Sequence, residues 1–60
     1  MYSVMYSSQD DGENGLYLNN TLVASAWLLR KLGHDVYRIA NWSQANLARI
    51  ARQAEWWLRS

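Results

Sequence analysis

The chain's one histidine, His34, stands beside Asp35, the two residue types from which a general-base dyad is built. Adjacent residues on a strand point to opposite faces, so this spacing does not bring an imidazole onto a carboxylate. No glycine-framed serine offers a nucleophile elbow. Asp10-Asp11-Gly12-Glu13-Asn14-Gly15 gathers carboxylates as calcium loops do, but counted from Asp10 the third position is Gly12 and the twelfth is Thr21. The bidentate glutamate of an EF-hand is therefore missing. The expectation is a chain with no catalytic residues, no metal and no cofactor.

Recognition chemistry is better represented. With residues 44–60 on a helix at 100° per residue, Leu47, Ala51, Ala54 and Leu58 share a narrow apolar sector flanked by Ile50 and Trp57. Arg49, Arg52 and Trp56 lie diametrically opposite, Arg59 stands at their margin, and Glu55 is spaced for ion pairs with Arg52 and Arg59. Two readings fit this stripe. It is a solvated face with the Trp56 ring over the Arg52 stem, or it is a recognition face for a protein partner, or for nucleic acid or a membrane surface, since Trp and Arg are the residues most enriched at interface hot spots. A second apolar excess is Trp27 with Val23, which projects from the flank of another expected helix. It either meets the C-terminal helix or forms a homodimer surface. Asp10, Asp11 and Glu13 are the acidic supplement, a contact for a basic partner or for the arginines of another copy.

Composition narrows the classes. The chain has 60 residues, no Cys and no Pro, four Trp and four Tyr but no Phe, and a net charge of +1. One small domain spanning 1–60 is expected, and at that size only about 60% of the unfolded surface is buried, so packing must be good or another chain must help. Every aromatic ring carries a polar handle, which suits half-buried positions and interfaces. Residues 1–29 hold three acids and no base, whereas 30–60 hold six bases and two acids. The longest apolar run, Leu22 to Leu29, is interrupted by Ser25 and falls far short of the ~20 residues of a membrane span. Met1-Tyr2-Ser3-Val4 has neither the basic nor the apolar region of a signal peptide, so the expected location is cytoplasmic.

The elements that must position these residues form an expected β(β)αβα order. Tyr2 to Ser7 alternates like a strand, Asn14-Gly15 suits a hairpin turn, and Leu16 to Leu18 suits a short returning strand. Asn19-Asn20-Thr21 reads as the cap of a helix from Leu22 to Leu32 that ends at Gly33, its core side defined by Leu22, Ala26, Leu29 and Leu32. Val36, Tyr37 and Ile39 suggest another strand over 34–40, and Asn41-Trp42-Ser43 caps the last helix, from Gln44 to about Leu58. The fold class is α+β, a two- or three-stranded sheet with two helices on one face. The open face would carry Ser3, Met5 and Ser7, and the sheet edges would be free to pair with another copy.

Ser43-Gln44-Ala45-Asn46-Leu47-Ala48-Arg49-Ile50-Ala51 resembles the opening helix of helix-turn-helix DNA-binding domains. In that family a turn and a recognition helix come next, but here Arg52 to Trp57 continue the same helix, so the resemblance implies no DNA reading. The favoured function is a non-enzymatic protein-binding module, a stand-alone regulator or inhibitor. Chains of this size are common among accessory proteins of phages and mobile elements. The alternatives are a nucleic-acid binder using Arg30, Lys31, Arg38, Arg49, Arg52 and Arg59, and a structural homo-oligomer subunit.

Overall fold

In a computed structural model, which describes residues 1–9 and 11–60, Tyr2–Met5 forms β1, Gly15–Leu18 forms β2 and Thr21–Ser25 forms β3. They make an antiparallel sheet in the order β1-β2-β3, with Val4 opposite Leu16 and Leu16 opposite Ala24. Three helices follow: α1 is Ala26–Lys31, α2 is Val36–Ile39 and α3 is Gln44–Arg59. The class is the expected α+β with three strands, but the order is βββααα instead of β(β)αβα.

Two segments account for the difference. Asn19 and Asn20 have φ of 50° and 69°, the left-handed conformations that a two-residue type I′ hairpin turn requires. They link β2 to β3 and do not cap a helix. Leu22 to Ser25 is therefore strand, and α1 begins only after Ser25, whose hydroxyl accepts from Leu28 N at 3.2 Å. The second segment is 34–40, where Asp35 caps a single helical turn by accepting from Tyr37 N at 2.9 Å. Val36 and Ile39 are buried while Tyr37 and Arg38 are exposed, which is helical and not strand spacing.

The expected hairpin turn at Asn14-Gly15 is also displaced. A short 3-10 turn at Asp11–Glu13 leads into Asn14, which is buried. Its side-chain Oδ1 accepts from Ser7 N at 2.8 Å, and its side-chain Nδ2 donates to Ser7 O at 2.9 Å and to Asp11 Oδ1 at 3.2 Å. Ser7 consequently belongs to this loop and not to the open face. Gly15 starts β2 because a Cβ there would stand 2.4 Å from Ala24 O, so the two backbones approach too closely for any other residue.

Val4, Leu16 and Ala24 turn one face of the sheet toward Leu28, Leu29, Val36, Ile39, Leu47, Ile50 and Ala54, which form one apolar core. A bulge opposite Leu16 and Tyr17 adds Val23 to that core beside Ala24. Ser3 and Met5 are exposed, as expected of the uncovered face. Both sheet edges are blunted. The Gln44 side-chain amide accepts from Tyr2 N at 2.6 Å and donates to Tyr2 O at 2.7 Å, pairing with β1 as a neighbouring strand would, and β3 carries the bulge. Among the described residues, no helix is long and apolar enough to cross a membrane.

Candidate functional site

α3 begins at Ser43, whose hydroxyl accepts from Asn46 N at 3.2 Å, and its spacing places Leu47, Ile50, Ala51 and Ala54 in the core. Arg49, Arg52, Trp56 and Arg59 all lie exposed on the opposite side, with Trp56 at 76% exposure. The expected pair of Glu55 with Arg59 forms at 2.6 Å, whereas none forms with Arg52. No ring contact joins Trp56 to Arg52 either, and a shallow hollow on this face is lined by Trp56, Arg59 and Ser60.

The helix end departs from the expected pattern. Leu58 and Trp57, read as core and its flank, are 62% and 41% exposed. Gln44, at the start of α3, meets Tyr2 on β1, and Leu58, near its end, lies beside Leu22 and Val23 of β3, so the helix crosses the sheet and its last turn reaches the β3 edge.

Trp27 meets the C-terminal helix, the first of its two expected roles, and is still exposed. Its ring meets Trp57 edge-on, with centroids 6.4 Å apart, so α1 does touch α3 there. It nevertheless stays exposed, with Lys31 Nζ 4.7 Å from its centroid. A cleft lined by Leu22, Val23, Ser25, Trp27 and Leu58 joins it to the edge of β3, and a second, through Tyr2, Leu18, Val23 and Leu58, continues along the same side. Leu22, expected in the core of a helix, is exposed on this strand edge.

Comparison with known proteins finds no family model that matches this chain, and no curated protein or solved structure that resembles it. Its own geometry carries the functional argument.

The remaining sequence-predicted residues do not join these faces. Asp11 is engaged within the chain, 3.2 Å from Arg30 Nη2, and Glu13 is exposed and uses its backbone oxygen to accept from the Tyr17 hydroxyl at 2.7 Å. Asp10 lies outside the described residues. His34 and Asp35 do not form a dyad. The imidazole sits edge-on to Trp42 at 5.7 Å with Nε2 3.4 Å from Gln53 Oε1, while Asp35 serves as a helix cap.

Proposed function

We propose that this chain is a non-enzymatic, cytoplasmic module that acts by binding another protein, as a small regulator or inhibitor of a host protein or complex of the kind carried by phages and mobile elements. The observation that carries this reading is Trp56. An indole three-quarters exposed, on the side of α3 that faces away from the core and amid Arg49, Arg52 and Arg59, does nothing for the fold that a small polar residue would not do. The same residue types are hot-spot anchors once a partner excludes water from them.

Nucleic-acid binding has less support. Of the six bases, Arg30 and Arg59 are paired with carboxylates and Lys31 lies on the Trp27 ring, so half the expected positive footprint is engaged within the molecule. The test is affinity capture from a lysate of the source organism, with and without nuclease, comparing wild type with Arg49→Ala/Trp56→Ala. A nuclease-resistant protein retained by wild type and lost by the variant is the expected result. Capture that disappears with nuclease overturns the reading in favour of nucleic acid.

A further inference from the structure

Asn14-Gly15, buried where the loop from Ser7 enters β2, has a chemistry of its own that is independent of the reading above. We propose that it is a self-modification site, held latent by the fold, at which an unfolded chain loses the Asn14 amide and with it the ability to refold.

The chemistry belongs to the dipeptide. Asparagine is among the thermolabile residues, and its side-chain Cγ lies within reach of the backbone nitrogen of the next residue. Attack by that nitrogen forms a C–N bond and closes a succinimide ring. The Cγ–Nδ2 bond breaks, and Nδ2 leaves as ammonia with the proton that the backbone nitrogen gives up. Water then adds to either carbonyl of the ring, giving aspartate or its isomer with the chain routed through the side-chain carboxyl. The residue that follows controls the first step, because a side chain crowds the attacking nitrogen and restricts its backbone, and glycine has none. Asn14 precedes Gly15, whereas Asn19, Asn20, Asn41 and Asn46 precede Asn, Thr, Trp and Leu.

The fold both imposes this pair and disarms it. Asn14 is needed for its hydrogen bonds to Ser7 and Asp11, and Gly15 because a Cβ there would run into Ala24 O. Ring closure requires the Gly15 nitrogen to swing onto Cγ. Ser7 holds the side-chain amide in place, donating to Oδ1 and accepting from Nδ2. The peptide that carries the Gly15 nitrogen is held separately, because its carbonyl oxygen, Asn14 O, accepts from Ala26 N at 3.0 Å. Gly15 itself stands between Met5 of β1 and Ser25 of β3. At 2% exposure, Asn14 also offers water little access.

Modification runs one way. Aspartate has an oxygen where Nδ2 was, aimed at Ser7 O and Asp11 Oδ1, so two donated hydrogen bonds become repulsions between oxygens and a buried charge faces a carboxylate. The isomer also lengthens the backbone by a methylene immediately before β2, against its register with β1 and β3. A chain that unfolds intact can return, but one modified while unfolded cannot. The working life of the protein is then set by the time it spends unfolded.

Incubation of the full chain in mildly alkaline buffer, with peptide mass spectrometry reading amide loss at each asparagine, tests this. In concentrated guanidinium chloride, Asn14 is expected to react ahead of Asn19, Asn20, Asn41 and Asn46. In buffer its rate is expected to fall by at least about 100-fold, the unfolded fraction set by the lower end of the stability range for this length. Across a denaturant series the rate should follow the unfolded fraction seen by circular dichroism. Leu29→Ala, which leaves every hydrogen-bond partner of Asn14 in place, should raise the rate in buffer at least about tenfold. Asn14→Asp, which is one of the two products, should shift the folding equilibrium toward the unfolded chain by at least about 30-fold. Amide loss as fast in buffer as in denaturant overturns the proposal, as does an Asn14 that reacts no faster than the other asparagines in the unfolded chain. A rate in buffer indifferent to Leu29→Ala also overturns it, because the fold is then not the gate. An Asn14→Asp chain with the wild-type melting temperature overturns the claim that modification is one-way.

Discussion

Asn14 and Trp56 are each in the wrong place for their type, the one polar and buried, the other large, aromatic and exposed. Burial of the Asn14 amide is tolerated because Ser7 and Asp11 satisfy it. Removing it strands the backbone donor and acceptor of Ser7. Asn14→Ala is therefore expected to cost about 2 kcal/mol and lower the melting temperature by roughly 10 °C. A thermal melt that moves by less than about 3 °C overturns the hub role. Trp56→Ala should do the reverse, changing stability by no more than about 0.5 kcal/mol while removing the captured partner. If it unfolds the chain instead, Trp56 is a packing residue and the recognition face is misassigned. The position of Trp56 was legible in the sequence, since a 100° rotation sets it opposite Leu47 and Ala54. That of Asn14 was not, because what buries it is a loop seven residues upstream that no local pattern reports.

Among the elements, α3, the first two strands and the end of α1 could be read directly, whereas β3, the start of α1 and α2 could not. The physical reason is that short polar residues serve two purposes. Asn19 and Asn20 carry side-chain oxygens that suit a helix cap, and they also tolerate the left-handed backbone that a hairpin turn demands. Leu22-Val23-Ala24-Ser25 is compatible with either outcome, and a strand partner in Leu16–Leu18 decided it. Val36 and Ile39 have β-favouring side chains, but Asp35 ahead of them and their three-residue spacing are helical signals in a run too short for propensity to win. The hairpin makes its own test. Asn20→Val forces a β-branched residue to φ near 69° and should cost about 1–2 kcal/mol. Asn20→Gly fits the same turn and should hold or raise the melting temperature. Equal behaviour of the two variants in thermal denaturation would mean that the turn lies elsewhere. The path of α3 also determines the candidate site, since the helix crosses from β1 to β3 and its last turn, with Trp57 and Leu58, ends exposed at the β3 edge.

For the whole molecule, one core must hold sheet and helices together on little free energy, about 3–9 kcal/mol for a chain of this length. Leu16, Leu29 and Ile39 are fully enclosed where the sheet meets the helices, so truncating one removes contacts on several sides. Leu29→Ala is expected to cost about 2–5 kcal/mol, a large part of the total, and to leave a measurable unfolded fraction at room temperature. Association changes how that loss is seen. If folding is coupled to dimerisation, adding protein drives unfolded chains back into the folded dimer, and the melting temperature rises with concentration. The Leu29→Ala variant is the sensitive place to look, because its folded monomer is scarce and a second copy bound to it would supply most of what keeps it folded. Its transition would then climb by several degrees over a 100-fold increase in concentration, about 2.7 kcal/mol of mass action. Adding Leu58→Asp to the same chain would flatten that dependence while leaving the dilute melting temperature where it was. A concentration dependence that survives Leu58→Asp would place the contact between copies away from the end of α3. No dependence in either chain would mean that this fold stands on its single core alone, and that the exposed tryptophans serve a partner other than itself.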